Sequence, residues 1–527
     1  MSEEQKRLLE KQLWAGANVL RGKMNADEYK NYILGFIFYK YLSEKLQRYI
    51  DEKLLTKEKY KFAEIKETTK DGKDVIEAIK KACVGHLGFF LKPTELFSYL
   101  VMKGNGEIKD NDKDKFILED IKSVLNTIEQ TSMGTASEDD FKGLFDDVVL
   151  TSPKLGKTEQ KKNEVIVEVL TLLNGIDFKL EDSKSDLLGD AYEYLIGEFA
   201  AGAGKKGGEY YTPAQVSRLL AQIVTLGKSR IKTVYDPACG SGSLLLRIGD
   251  YANVSSYKGQ ELNPTTYNLA RMNMILHGVH FDNFSIRQGD TLVEDMHQDL
   301  QAEAVVANPP FSAKWKGDQD PLLASDERYS QYGRLAPKGA ADYAFVSHML
   351  YHLADNGVMA VVLPHGALFR GGAEGHIRRY IIEKLNSLDA VIGLPENLFY
   401  GTGIPATVLI FKKCRPDDQG ILFIDASQEY SKGKNQNLLT DENILKIFNT
   451  YKDRITTKNY SYLASLEEIK EYEYDLNIPR YVDTFIEDDP IDIDDLSDDI
   501  KKLNESLEPL EEVIKISCNN LGIKTPF

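Results

Sequence analysis

Asn308, Pro309, Pro310 and Phe311 end an apolar run (Val305, Val306, Ala307) where an ordinary turn would place Gly, Asp or Asn. The Asn308 side-chain oxygen and the Pro309 carbonyl are two hydrogen-bond acceptors. The prolines fix the backbone so that a carbonyl points outward, and Phe311 offers a ring face for stacking. Upstream, "TVYDPACGSGSLLL" (233–246) reads as a strand, an acid at its end, a glycine turn and a helix. Gly240 and Gly242 allow a sharp turn and a close approach to a ligand, and amides at the helix start favour an anionic group such as a carboxylate. Leu245 stands where a dinucleotide fingerprint has its third glycine, which argues against a nicotinamide or flavin site. Glu261, 19 residues after Gly242, is placed to accept from ribose hydroxyls. Asp290, at the end of the next strand, is placed to accept from an adenine amine. Acids at the ends of three consecutive strands, Asp236, Glu261 and Asp290, outline a ligand with an amino group, a ribose and a purine.

Such residues need a frame that brings strand ends together. From residue 231, short β-rich runs alternate with helical ones. "IKTVYD", "SSYKGQEL", "FSIRQGD", "EAVVANPP", "VMAVVLP", "LDAVIGLP" and "PATVLIFKK" are seven strand candidates. The alternation predicts a doubly wound sheet with helices on both faces and its ligand at the carboxyl ends of the strands. Residues 1–165 read as an N-terminal helical domain, with "DEYKNYILGFIFYKYLSEKL" apolar on most of its circumference, as in a buried helix. A glycine-rich joint, "AGAGKKGGEYYTP", leads into the catalytic domain, taken as 166–480. Residues 481–527 form an acidic helical tail. Its Leu496, Ile500, Leu503, Leu507, Leu510 and Ile514 follow a coiled-coil seam. Pro509 predicts a kink there or two short helices. The tail either packs on its own body or docks on a partner's helix.

Composition narrows the class. With 42% hydrophobic and 28% charged residues the chain is a soluble globular protein. Cys83, Cys239, Cys414 and Cys518 form no CxxC pair, which argues against a disulfide framework or zinc site and fits a reducing cytosol. The charged start, "MSEEQKRLLEKQLW", lacks the apolar core of a signal peptide, and no apolar run approaches the ~20 residues of a membrane span. A cytoplasmic location follows as the expectation. The net charge of −17 at first opposes nucleic acid, but Asp483–Glu512 carries 13 acids against two lysines, −11 of it, leaving −6 elsewhere. A basic cleft in the remainder is compatible with that balance.

The motifs "DPACGSG", "QELNP", "GD" and "NPPF", in this order, resemble the class I S-adenosylmethionine-dependent methyltransferases that act on amino groups of DNA. "FKGLFDDVVLTSPKLG", "LLGDAYEYLIGEFA", "GGEYYTP", "KGAADYAFVSHMLYHL" and "YDLNIPRYV" narrow the resemblance to the modification subunits of type I restriction–modification systems, up to about residue 485. The fold implied is an α/β class I methyltransferase sheet with an N-terminal helical domain and a C-terminal helical tail. The activity implied is methyl transfer from S-adenosylmethionine to adenine N6 in double-stranded DNA. Asn308 and Pro309 would hold the amine, with Pro310 and Phe311 completing the catalytic motif. Phe311 and Phe399 would stack on a flipped base, although Phe399 reads equally as a core aromatic. Tyr211, Thr212 and Pro213 would meet the methionine end of the cofactor. Asp236, Ala238, Gly240, Ser241, Gly242, Glu261 and Asp290 would form the rest of its site, with no metal. The partners implied are a specificity subunit, a second copy of the chain and restriction subunits.

Rival readings are a self-sufficient adenine methyltransferase, a protein-glutamine methyltransferase and a catalytically silent assembly subunit. Lys205, Lys206, Lys314 and Trp315 are either phosphate contacts or ordinary surface. His348, His352 and His365 read as structural, without metal-ligand spacing.

Overall fold

Runs of β-branched and aliphatic residues between glycine-rich turns become strands because their side chains pack on both faces of a covered sheet. The computed structural model describes residues 3–108, 115–178, 187–202, 212–399, 402–433, 436–483 and 493–527. Tyr211, Lys205 and Lys206 lie outside them. All seven expected strands form: β1 (Arg230–Asp236), β2 (Asn253–Glu261), β3 (Phe284–Gln288), β4 (Ala302–Ala307), β5 (Leu353–Pro364), β6 (Leu388–Gly393) and β7 (Ala406–Lys412). Beyond these come β8 (Ile421–Asp425), a two-stranded ribbon of β9 (Ser431–Lys432) and β10 (Asn437–Leu438), and β11 (Ser461–Ala464). Among the described residues the main sheet has nine strands, ordered β11-β8-β6-β7-β5-β4-β1-β2-β3. Strands β3, β2, β1, β4 and β5 are mutually parallel, and β7 runs antiparallel between β5 and β6.

Chain order reverses between β1 and β4, which lie side by side although two strands separate them in sequence. At such a switch point the loops leaving the two strands diverge and open a crevice. The glycine turn leaves β1 and the Asn-Pro-Pro-Phe run leaves β4, so one topological feature brings both candidate motifs to one place.

Period-2 alternation divides the sheet between two apolar layers. Val234, Ala304 and Val306 face one core, and Tyr235, Val305 and Ala307 the other. The first core continues without a break into the N-terminal helices. The helix Ala26–Tyr49 is buried around most of its girth, including Phe36, Ile37, Phe38 and Tyr39. Its most deeply buried cation, Lys40, is satisfied by Glu44 and by the Ile176 carbonyl at 2.9 Å. The "FKGLFDDVV" segment latches onto the helix Pro264–Leu276, which follows Glu261 directly. Buried Arg271 donates to the carbonyls of Asp139 (2.8 Å) and Lys142 (2.9 Å), and Asn268 donates to Gly143 O at 3.1 Å. The helical region thus braces the element behind one edge of the crevice.

The body spans Met1–Val482 and the tail Asp483–Phe527. Within the tail, Ile493–Leu521 is one helix of 29 residues running through Pro509, where the sequence predicted a kink or two short helices. Proline removes the N–H that would meet the Glu505 carbonyl. Glu505 is exposed, so water can satisfy that carbonyl and the helix continues. The seam residues Leu496, Ile500, Leu503, Leu507, Leu510 and Ile514 are all exposed. No helix of the described residues is long and apolar enough to cross a membrane.

Candidate active site

The crevice is a cavity of about 760 Å³, within the range of small-molecule sites. It is lined on one side by Asp236, Ala238, Gly240, Ser241, Glu261 and Asp290, and on the other by Thr212, Asn308, Pro310 and Phe311. Ten residues proposed from five separate sequence stretches therefore share one space. Gly289, Thr291, Leu262 and Asn263 also line it, and sequence reasoning had passed over them.

The glycine turn is built as its composition demands. Gly240 (φ +55°) and Gly242 (φ +77°) occupy the left-handed region, which a Cβ disfavours. Gly242 lies behind the cavity rather than on its wall. A Cβ there would sit 3.2 Å from the Met274 methyl. Its role is to start the helix Ser243–Ile248 tightly against the helix Pro264–Leu276. Asp236 accepts from the Ala238 N–H at 2.9 Å. Glu261 accepts from the Gly240 N–H (3.0 Å) through one oxygen and from the Asn263 N–H (2.8 Å) through the other. Glu261 is thus a brace for the turn. Asp290 accepts from Leu292 N–H at 3.1 Å, and Thr291 Oγ1 ties the same loop to the Pro237 carbonyl at 2.6 Å.

Burial shapes the charge of these acids. Asp236, 1% exposed, has its pKa pushed up to about 8 by desolvation, partly offset by the Ala238 N–H and reinforced by the Glu261 charge. Desolvation also raises Glu261, against the N–H groups of Asn263 and Gly240. Two neighbouring acids held above their ordinary range form a site that gains from a cationic ligand.

Across the cavity, Asn308 is buried, and its Nδ2 donates to Thr212 Oγ1 at 3.2 Å. Among the described residues nothing donates to Asn308 Oδ1. An orphaned buried acceptor costs about 1–3 kcal/mol, which a donor from a bound ligand would recover. Phe311 is partly buried and lines the cavity. Phe399 is only 2% exposed and meets Phe311 edge-on at 5.7 Å and 68°. It backs the Phe311 ring in this arrangement and presents no open face. Pro213 and Pro309 are buried outside the lining.

A clamp that the sequence did not reveal holds the turn after Phe311. Ser312 takes a left-handed φ of +50°, unusual for a residue with a Cβ. Its N–H is donated to Asp342 Oδ1 at 2.9 Å, and Asp342 is itself buried and paired with Arg370. Arg370 in turn pairs with Glu374 at 2.7 Å. Asp342→Ala should release Ser312 and leave Arg370 to pair with Glu374 alone. We expect a loss of about 2–3 kcal/mol of stability by denaturant titration, with turnover reduced about tenfold at a temperature where the variant is folded. Wild-type turnover in a destabilised Asp342→Ala would show that the clamp does not position the site.

Trp315 is buried and donates its indole N–H to the Pro337 carbonyl at 3.1 Å, so it is not a phosphate contact, whereas Lys314 is exposed at the cavity rim. His348 and His352 stand four residues apart on the helix Asp342–His352, a spacing that does suit metal ligation, and with Asp295 they form a tight cluster. Their ring nitrogens are all engaged. His348 meets Tyr235 OH (2.8 Å) and Arg328 (3.0 Å), and His352 meets the Leu300 carbonyl (2.9 Å) and Asp295 (3.0 Å). The cluster is a hydrogen-bonded core network beneath β1. His365 likewise lies 3.2 Å from the Ala406 carbonyl.

Residues 183–489 match the N-6 DNA Methylase family and residues 9–173 the HsdM N-terminal domain. The methylase subunit of the type I restriction enzyme MpnII from Mycoplasma pneumoniae is 37% identical over 99% of this chain and 98% of its own length. The MjaIX methylase subunit from Methanocaldococcus jannaschii is 30% identical over 97% and 91% respectively. The crystal structure of the type I restriction-modification system methyltransferase subunit from Streptococcus thermophilus shares 44% identity and a TM-score of 0.80, covering 90% of this chain and 99% of that one. The sheet is accordingly the α/β class I S-adenosylmethionine-dependent methyltransferase sheet implied by the motifs. With the family model spanning most of the chain and relatives matched along nearly its whole length, this protein belongs to the N-6 DNA methylases, among the methylase subunits of type I restriction enzymes.

Proposed function

We propose that this chain transfers a methyl group from S-adenosylmethionine to adenine N6 in double-stranded DNA, at sites chosen by a separate specificity subunit. The observation that carries the reading is the buried, unpartnered Asn308 oxygen facing the same cavity as Asp236, Glu261 and Asp290. The donor set fits the cofactor. Glu261 has oxygen lone pairs left for ribose hydroxyls after bracing the turn, Asp290 can accept from the adenine amine, and Asp236 faces the amino-acid end.

The cofactor, when bound, supplies an electrophilic methyl on a positive sulfonium. The protein positions the nucleophile. The N6 lone pair is delocalised into the adenine ring, so the amine is a poor nucleophile. Asn308 Oδ1 accepts one of its hydrogens, which turns the lone pair toward the methyl; the Pro309 carbonyl, outside the cavity lining in this structure, would take the second once the base is seated. Holding the pair in line and matching the charge that develops accounts for most of the acceleration. The proton that leaves N6 passes to solvent. Reaching N6 requires flipping the nucleotide from the duplex, at a cost of a few kcal/mol, and stacking on the Phe311 ring offsets part of it.

The site's electrostatics give this reading a pH signature. Asp236 is protonated in the free protein below about 8, and must ionise to meet a cationic cofactor. Affinity should therefore rise with pH and level off above about 8, and Asp236→Asn should flatten the profile. Calorimetric titration of the cofactor between pH 6 and 9 checks it. A flat wild-type profile would sink the assignment.

The exposed apolar seam of the tail helix supports dependence on a helical partner, and the specificity subunit is the partner we assign. The assembly would contain a second copy of this chain, can accept restriction subunits, and would work in the cytoplasm. Labelled-methyl transfer to duplex DNA by the purified chain, alone and with its specificity subunit, tests the dependence. Transfer only by the pair is expected. Transfer by the chain alone would make it a self-sufficient enzyme.

A further inference from the structure

We propose that Thr212 is a positioning residue for methyl transfer, setting the Asn308 amide so that its oxygen, not its nitrogen, faces the target base. The inference rests on the function proposed above and extends it to a residue that the sequence had assigned to the cofactor. A primary amide has two ends of nearly equal shape and opposite hydrogen-bonding sense. Turned by a half rotation, Asn308 would aim two N–H donors at an incoming amine. Donor would face donor, and the amine would find no acceptor there. Asn308 is only 6% exposed, which leaves little room for solvent to choose the orientation. The partner that chooses is Thr212, whose Oγ1 takes the Nδ2 hydrogen at 3.2 Å across 96 residues of sequence.

The position of that hydroxyl is fixed from behind. Thr212 precedes Pro213, which is buried and starts the helix Ala214–Val224, with the Ser217 N–H donated to the Pro213 carbonyl at 3.0 Å. That helix packs against β4, the strand that carries Asn308, and against the helix that follows the glycine turn. A threonine hydroxyl has two lone pairs and one proton. With its proton turned to solvent in the cavity it lines, its oxygen meets Asn308 as an acceptor. The amide is then held in the one orientation that serves an amine. Thr212 also lines the cavity, so it lies between the two halves of the site.

A cofactor contact and a positioning residue predict different losses. We would compare wild type, Thr212→Val and Thr212→Ser in the complex with the specificity subunit. The readouts are turnover, cofactor affinity by calorimetry, and fluorescence of 2-aminopurine at the target position. Thr212→Val keeps the shape and removes the acceptor. It should lower kcat about 10- to 100-fold while cofactor affinity stays within about twofold. The 2-aminopurine signal should not change, because that base flips but carries no 6-amine for Asn308 to hold. Thr212→Ser restores the hydroxyl and should recover most of the turnover. If Thr212→Val melts below wild type, Thr212→Ala carries the same expectation. Turnover unchanged in Thr212→Val, or turnover and cofactor affinity falling in the same proportion, would overturn the proposal. A wild-type complex that forms no N6-methyladenine would overturn the underlying function instead, so the two failures are distinguishable.

Discussion

Asn308→Ala is expected to lower kcat by about 10³-fold, with cofactor affinity nearly intact. In the proposed function the side chain would supply one of the two acceptors for the amine, and removal of one preorganised hydrogen-bonding group from a reacting centre typically costs about 10²–10³ in rate. Loss of orientation adds to that. Stability should change little, because the deleted oxygen is buried without a donor in the free protein. Single-turnover kinetics beside cofactor calorimetry separate the two quantities. Equal loss of turnover and cofactor binding would contradict the role given to Asn308, since the residue would then be shaping the cofactor half of the site.

Glu261→Ala should have the opposite profile, with cofactor affinity falling about 100-fold. The carboxylate acts twice. It accepts from the Gly240 and Asn263 N–H groups, holding the glycine turn, and in the proposed function its remaining lone pairs would meet ribose hydroxyls. Hydrogen bonds to a charged group contribute about 1.5–3 kcal/mol each, so losing one to the ligand and loosening the turn together give a shift of that size. Asp290→Ala removes an acceptor from one part of the ligand and one N–H partner in its own loop, and should cost about tenfold. Equal effects of Glu261→Ala and Asp290→Ala would deny Glu261 its bracing role. Unchanged affinity in Asp290→Ala would remove the adenine assignment.

These assignments were legible to the extent that each depends on a residue type at the end of a predictable strand. Asp236, Glu261, Asp290 and Asn308 end strands whose apolar composition is plain in the sequence. The doubly wound topology then requires that the β1 and β4 ends meet. What was not legible depends on contacts between distant segments. The bond from Asn308 to Thr212 and the clamp from Asp342 to Ser312 join residues far apart, and "KGAADYAF" gave no hint that its aspartate holds a turn thirty residues away. The left-handed Ser312 is invisible for the same reason, because tertiary hydrogen bonds impose it against local preference.

Missed strands have a local explanation. Strand β11 is four residues long and lies at the sheet edge against β8, with its middle two residues partly or fully open to solvent. Nothing in "SYLA" separates it from a loop. His348 and His352 show the converse. Their spacing on a helix is that of metal ligands, and only the structure shows Tyr235, Arg328, Asp295 and the Leu300 carbonyl occupying the ring nitrogens. From sequence, Phe399 reads equally as a stacking face and as a core aromatic. Its burial edge-on behind Phe311 makes it a backing for that ring in this state.

The central claim is that one cavity captures an adenine amine against Asn308 and delivers a methyl group to it. Nucleoside mass spectrometry of DNA from cells carrying this chain with its specificity subunit tests it most directly, beside the same pair bearing Asn308→Ala. The account predicts N6-methyladenine with the wild-type pair and none above background with the variant. Absence of N6-methyladenine with a correctly assembled wild-type pair, or its persistence with Asn308→Ala, would contradict it.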